Sequence, residues 1–226
     1  MTDTTSGSSG RTAEPGWPDE PADPSRESWR IAVAGARGGQ GATTVATVLA
    51  VLAAGHADTA LVASRPDDVY ALTATSPAAL PGRGIELAPW LTLASAPLGW
   101  ATPPATPVVV ADVGRADDIA TEFDLGGVWT RWLVVRGPCY TSLRVAVDAG
   151  WRADGVILLA EPGRAITAVD VADLLGVPVI AQVPVEPSVA RVLDAGLLLA
   201  RLPHLAPFRS LARLIQRHLA STPPTR

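Results

Sequence analysis

The sequence predicts an α/β domain built on a mostly parallel sheet with helices on both faces. Three observations predict it. Short apolar runs of Val, Ile, Leu and Ala recur without polar alternation, as in strands buried on both faces. Helical stretches separate them, the alternation expected of a parallel sheet. A glycine-rich turn joins the first strand to the first helix. A length of 226 residues, 48% of them hydrophobic, suits a single domain of this class.

The elements follow in order. Residues 1 to about 28 are rich in Thr, Ser, Gly, Pro and acids, with Trp17 the sole large apolar group before Trp29. Such a segment buries too little surface to offset its ordering entropy and is expected to be an acidic, disordered tail. Its alternative role is a partner-binding tail anchored by Trp17. The domain proper is expected over residues 29–226. Strands are predicted at 30–34, 59–64, 107–113, 132–136, 155–160 and 178–183, and helices at 43–54, 142–149 and 165–175. Between Val69 and Pro104 six prolines interrupt the pattern, and only a weak strand at 90–94 is legible. At the C-terminus, Phe208, Leu211, Ile215 and Leu219 recur at helical spacing, with Arg209, Arg213 and Arg217 as a second stripe, predicting a basic amphipathic helix over about 205–219.

Composition excludes several chemistries. All 18 basic residues are arginine, and the chain contains neither lysine nor asparagine. A base-composition bias of the coding sequence accounts for this, yet the consequence holds: no Schiff-base lysine, no Tyr/Lys dehydrogenase pair and no P-loop lysine exist in the chain. The single Cys139 cannot form an internal disulfide, so a reducing, cytoplasmic setting is expected. No signal-peptide core or membrane-spanning run is legible. A net charge of −4 argues against broad nucleic-acid binding, and no specific nucleic acid is expected. His56, His204 and His218 are not clustered, so neither a zinc site nor a Cys/His pair is indicated. Cys139 itself reads as a small, partly buried residue rather than a reactive thiol.

The informative segment is Ala34-Gly35-Ala36-Arg37-Gly38-Gly39-Gln40-Gly41-Ala42-Thr43-Thr44. Its four glycines within seven residues let the backbone turn sharply and aim N–H groups at an anion, next to a helix N-terminus. A plain tight turn needs fewer. The loop resembles the deviant Walker A motif of the ParA/MinD family of P-loop ATPases, Lys-Gly-Gly-x-Gly-Lys-Thr-Thr. Gly38, Gly39, Gly41, Thr43 and Thr44 match. Arg37 stands at the position of the signature lysine, which in that family reaches the dimer partner's nucleotide, and Ala42 at that of the P-loop lysine, which holds the β- and γ-phosphates. The resemblance extends over most of residues 29–215. Val108-Val109-Val110-Ala111-Asp112-Val113-Gly114 is similar to the Walker B strand, which makes Thr43 and Asp112 the expected magnesium residues. Gly137-Pro138 with Ser142-Leu143, and Gly176 to Pro184 with Glu186, Val189 and Gly196, resemble later family segments.

The departures concentrate at the chemistry. Where the family carries Asp-x-Asp-Pro after the second strand, this chain reads Ala63-Ser64-Arg65-Pro66, and Asp67 and Asp68 substitute only if the loop is re-registered. Glu161-Pro162 stands where the family often places an asparagine near the adenine. Phosphoryl transfer depends on positioning and charge stabilisation, in which one cationic group is worth roughly 10³ to 10⁵ in rate. The resemblance therefore implies a degenerate, CpaE/TadZ-like member that is not a competent ATPase. It implies a factor that positions pilus or secretion machinery, a partition complex or a septum, takes ATP and Mg2+ weakly or not at all, and acts as a homodimer or with a partner protein. Two alternatives stay open: a slow ATP-switched ATPase, and an NADP-binding Rossmann oxidoreductase in which Arg65 meets the 2′-phosphate. The basic helix over 205–219 either touches an anionic membrane peripherally, as MinD-like proteins do, or docks its apolar face on the sheet; the fold favours docking.

Overall fold

A computed structural model describes residues 28–75, 84–95, 106–117 and 128–221. The expected tail over residues 1–28 lies outside them except for Ser28, as do parts of the proline-rich stretch. Among the described residues are strands β1 (Trp29–Gly35), β2 (Thr59–Ala63), β3 (Ile85–Ala88), β4 (Leu91–Ser95), β5 (Val108–Arg115), β6 (Thr130–Arg136), β7 (Gly155–Ala160) and β8 (Val179–Pro184). The helices are α1 (Ala42–Ala54), α2 (Pro66–Thr73), α3 (Tyr140–Asp148), α4 (Ala168–Leu175), α5 (Pro187–Asp194), α6 (Leu198–Arg201) and α7 (Arg209–Ser221).

The strands form one sheet in the order β3-β4-β2-β5-β1-β6-β7-β8. Every pairing is parallel except that of β3 with β4. Because side chains alternate across a strand, β1 sends Ile31 and Val33 to one face and Ala32 and Ala34 to the other. The first face packs against α1, α2, α6 and α7 through Val45, Leu49, Val69, Leu198, Leu211 and Ile215. The second receives Leu143 and Ala146 of α3 and Val171 of α4. Both faces are thus covered, and this is why the strands read as continuous apolar runs.

All six main predicted strands are present within one or two residues. The proline-rich stretch hides more order than its sequence suggests. Pro66 opens α2, where a missing N–H is harmless, and β3 and β4 form a hairpin turned by Trp90 at φ 67. A non-glycine residue in that region gives no sequence signal. The C-terminal helix begins later than predicted: Pro203 and Pro207 set two short 3-10 turns at Leu202–His204 and Ala206–Phe208, and α7 starts at Arg209. Its apolar stripe is buried against α1 and β8, with Leu211, Leu214 and Ile215 inside and Arg209, Arg213 and Arg217 outside. The docked alternative is therefore the one seen. No helix among the described residues is long and apolar enough to cross a membrane.

Candidate nucleotide site at the glycine loop

Strands β1 and β6 are neighbours whose following helices lie on opposite faces, α1 on one and α3 on the other. Such a reversal opens a crevice at the carboxyl ends of parallel strands. The loop 35–41 fills one wall of it. Gly39 and Gly41 hold φ 74 and 84, backbone that favours glycine, and a Cβ on Gly41 would lie 2.9 Å from Leu159 Cδ1 on β7. Gln40 is buried, and its Oε1 accepts the Arg136 backbone N–H at 2.7 Å, pinning the loop to the end of β6.

Gly41 is the N-cap of α1 and offers no side chain to the first-turn N–H groups, and no acidic residue occupies that turn. Those donors are left for an anion. Residues 38–44 thus fit a phosphate through backbone N–H groups and the helix dipole. The cationic component is missing: Ala42, at the first helical position, is buried with a methyl group where a phosphate-binding side chain would emerge.

The expected magnesium residues are brought together. Asp112, near the end of β5, is 3% exposed, and the Thr43 hydroxyl lies close enough to favour its ionised form. Its Oδ1 accepts the Gly114 N–H at 3.2 Å. Burial nevertheless pushes the Asp112 carboxyl above its ordinary range; Thr43 and Gly114 oppose this, the charge of Asp68 adds to it and Arg65 opposes it. Among the charges that act on Asp112 is that of Asp68, in the first turn of α2, which the sequence offered only as a re-registered substitute. Ala63 is buried at the end of β2. A hydroxyl and a buried carboxylate suit a magnesium ion that takes its other ligands from phosphate and water. No group of three or more His, Cys, Asp or Glu side chains among the described residues could hold a metal alone.

The raised Asp112 pKa has a stability consequence. The folded chain binds this proton more tightly than the unfolded chain, whose reference value is 3.8, so the cost of the buried charge is fully present above the folded pKa and is relieved as pH falls through it. Asp112→Asn, which keeps an acceptor for Thr43 and Gly114, is expected to be more stable than the parent at pH 7, with the gap closing as pH approaches 4. Urea denaturation across that range measures it; a variant less stable at neutral pH would contradict the assignment.

The other expected residues are dispersed over the rim. Arg37 is exposed and makes no ion pair among the described residues. It faces Cys139, whose thiol is held below its ordinary range first by the Ser142 hydroxyl, then by backbone N–H groups, with Arg37 adding to the effect. Thr44 is half-buried at the third helical position. Residues that sequence reasoning missed complete the rim. Arg115 packs its stem beside Gly38 and pairs with Asp117. At the ends of β6 and β7, Glu161 is gripped by Arg136 at 2.9 Å and by Arg164, which hold its carboxyl below the usual range, Arg164 most strongly. A Cβ on Gly137 would lie 2.2 Å from Glu161 Oε2, so the pair folds over that glycine. The sole sequence signal was the position of Glu161 after its strand.

The sequence matches no protein-family model and no curated protein. Its likeness to solved structures is in the fold. The ParA family ATPase of Chlorobium tepidum superimposes with a TM-score of 0.62 at 14% identity, covering 83% of this chain and 98% of that one. MinD in the MinC:MinD cell division complex of Aquifex aeolicus gives 0.67 at 14%, over 88% and 98%. The fold is that of the ParA/MinD ATPases. MinD of Pyrococcus horikoshii, a septum site-determining protein solved with Mg-ADP, gives 0.60 at 15%, over 84% and 95%. The ParA/MinD architecture places the glycine loop after β1 at the crevice built above, and the share of those chains that is covered makes this a whole-domain likeness.

Proposed function

We propose that this chain is a ParA/MinD-type spatial-positioning factor with a degenerate nucleotide site, which binds ATP and Mg2+ weakly or not at all and works through protein contacts rather than through fast hydrolysis. The observation that carries this reading is the state of the loop: backbone cradle, Thr43 and Asp112 are retained, while position 42 offers only a buried methyl. If MgATP is held, the N–H groups of residues 38–44 face its phosphates and Thr43 with Asp112 face the metal. Arg37, Arg115, Arg136 and Arg164 are among the cationic side chains on the rim.

The finer assignment follows the degenerate, CpaE/TadZ-like pattern: localisation of pilus or secretion machinery, with partition or septum placement as related roles, and a homodimer or a partner protein as the working unit. The MinC:MinD complex among the similar structures supports the idea that this fold acts with a partner. A second reading, a slow ATP-switched ATPase, is favoured by one observation, the charge of Asp68 acting on Asp112, a carboxylate just downstream of Ala63 and Arg65.

Titration of the full chain with MgATP, with Asp112→Ala alongside, separates them. Binding weaker than about 0.1 mM, a free energy near −5.5 kcal/mol, with no Asp112-dependent phosphate release, is the expected result. Turnover that disappears in Asp112→Ala and in Asp68→Ala would replace the positioning-factor reading with the switched ATPase.

A further inference from the structure

A cleft lies away from the glycine loop. It has a volume of about 260 Å³ and sits where α7 crosses the outer edge of the sheet, lined by Val179, Ile180 and Gln182 of β8 with Ser210, Arg213 and Arg217 of α7. Strand β8 ends the sheet, so one side of its backbone meets no other strand among the described residues. Such an edge invites a second chain segment unless it is covered. Ser210 covers part of it, donating to the Gln182 carbonyl at 2.7 Å. The cleft is too small for a typical ligand but large enough for a side chain. Its mouth is cationic: Arg213 and Arg217 are exposed, one helical turn apart, with no ion pair among the described residues, and the chain has no carboxylate side chain after Asp194.

The described chain begins close by. Trp29 opens β1, its indole stacks on His218 of α7 at 5.2 Å, and His218 adjoins Arg217. Whatever precedes Ser28 therefore leaves the domain beside the C-terminal half of α7. That segment has the complementary chemistry. From Glu14 to Asp23 it carries Glu14, Asp19, Glu20 and Asp23 with no basic residue, around the aromatic Trp17. Prolines recur at 15, 18, 21 and 24. In a polyproline II helix of three residues per turn this period puts Trp17, Glu20 and Asp23 on one side. Reach is sufficient: the eight residues from Glu20 to Glu27 span up to about 26 Å, against about 14 Å for the three strand spacings from β1 to β8. Proline lacks an N–H, so the segment suits lying against the edge better than extending the sheet.

We infer that the acidic segment Glu14–Asp23 docks in cis on the β8–α7 cleft, its carboxylates on Arg213 and Arg217 and Trp17 against Val179 and Ile180, so that the chain caps its own sheet edge. The nucleotide reading of the glycine loop plays no part in it. The tether makes the contact intramolecular, which raises the effective concentration of the segment to the millimolar range.

Hydrogen exchange on the full chain tests this, with the β1 and β5 amides as an internal reference. In the variant Glu14→Gln/Asp19→Asn/Glu20→Gln/Asp23→Asn, the amides of residues 179–183 are expected to exchange about fivefold faster while the reference is unchanged. Arg213→Glu/Arg217→Glu is expected to do the same, and adding Glu20→Arg/Asp23→Arg to it is expected to restore protection, a recovery that a merely misfolded α7 would not show. Equal β8 exchange in the parent and the neutralised chain, or failure of the charge swap to restore it, overturns the proposal. Protection that rises with protein concentration also overturns it, because the segment would then be docking on a second copy.

Discussion

Ala42→Lys is expected to raise MgATP affinity about 10- to 100-fold, because a hydrogen-bonded pair with a charged partner contributes roughly 1.5–3 kcal/mol and each 1.4 kcal/mol is tenfold. Everything else a phosphate needs from the loop is in place: left-handed glycines at 39 and 41, an N-cap without a side chain, and the Thr43–Asp112 pair behind it. A Cβ built on Gly35 would stand 3.6 Å from the Ala42 methyl, which places position 42 against the start of the loop. A P-loop lysine reaches the β- and γ-phosphates, so the gain is expected for ATP and absent for AMP. Calorimetry with both nucleotides reads the difference. Equal affinity of parent and variant for ATP would remove the loop from consideration as a triphosphate site. Hydrolysis is not expected to follow affinity, because β2 ends at the buried, neutral Ala63 and is followed by the cationic Arg65, neither of which can orient a water as a carboxylate does.

Trp132→Ala is expected to cost about 3–5 kcal/mol, the range for emptying a large aromatic site in a core, and to lower Tm on the order of 10 °C for a domain of this size. Trp132 lies on β6 with 2% of its surface exposed and is among the largest fully buried side chains. Its ring meets Trp29 edge-on at 5.9 Å and His218 at 5.7 Å, so one indole ties the central strand β1 to the terminal helix α7. The void therefore opens between sheet and helix, where collapse would require α7 to move. Faster amide exchange along α7 is expected to accompany the lower Tm, and Trp132→Phe is expected to recover most of both. A loss below 1 kcal/mol would mean that the three-ring cluster does not hold α7 in place.

How far the sequence led differs by region. The six main parallel strands were legible because both sheet faces are covered, which forces continuous apolar runs. Helix α1 was legible from its Ala/Val/Leu run behind the glycines. Strand β4 was legible as the weak strand at 90–94; helix α2, β3 and the turn that joins β3 to β4 were not, because prolines that begin elements and prolines that interrupt them look alike in a single sequence, and Trp90 turns the hairpin in a conformation its residue type does not announce. At the site, the glycines were singled out by their density in the loop, and Thr43 and Asp112 by the resemblance to the family's motifs. Gln40, Arg115 and the Arg136–Glu161–Arg164 cluster were not, since each joins loops that are distant along the chain.

By itself the sequence determined the chemical inventory. A chain without lysine has no P-loop ammonium whatever its fold, and glycines at 38, 39 and 41 permit a backbone cradle in a way that bulkier residues do not. Tertiary structure decided proximity. It brought Asp68 of α2 within electrostatic reach of Asp112, and it turned α7's apolar stripe onto β8 and α1 instead of leaving it free. It also brought the first residue of β1 against His218. The reason is common to these cases: pairing strands far apart in the chain, β1 with β5 and with β6, fixes which ends meet, and local propensity carries no record of that choice.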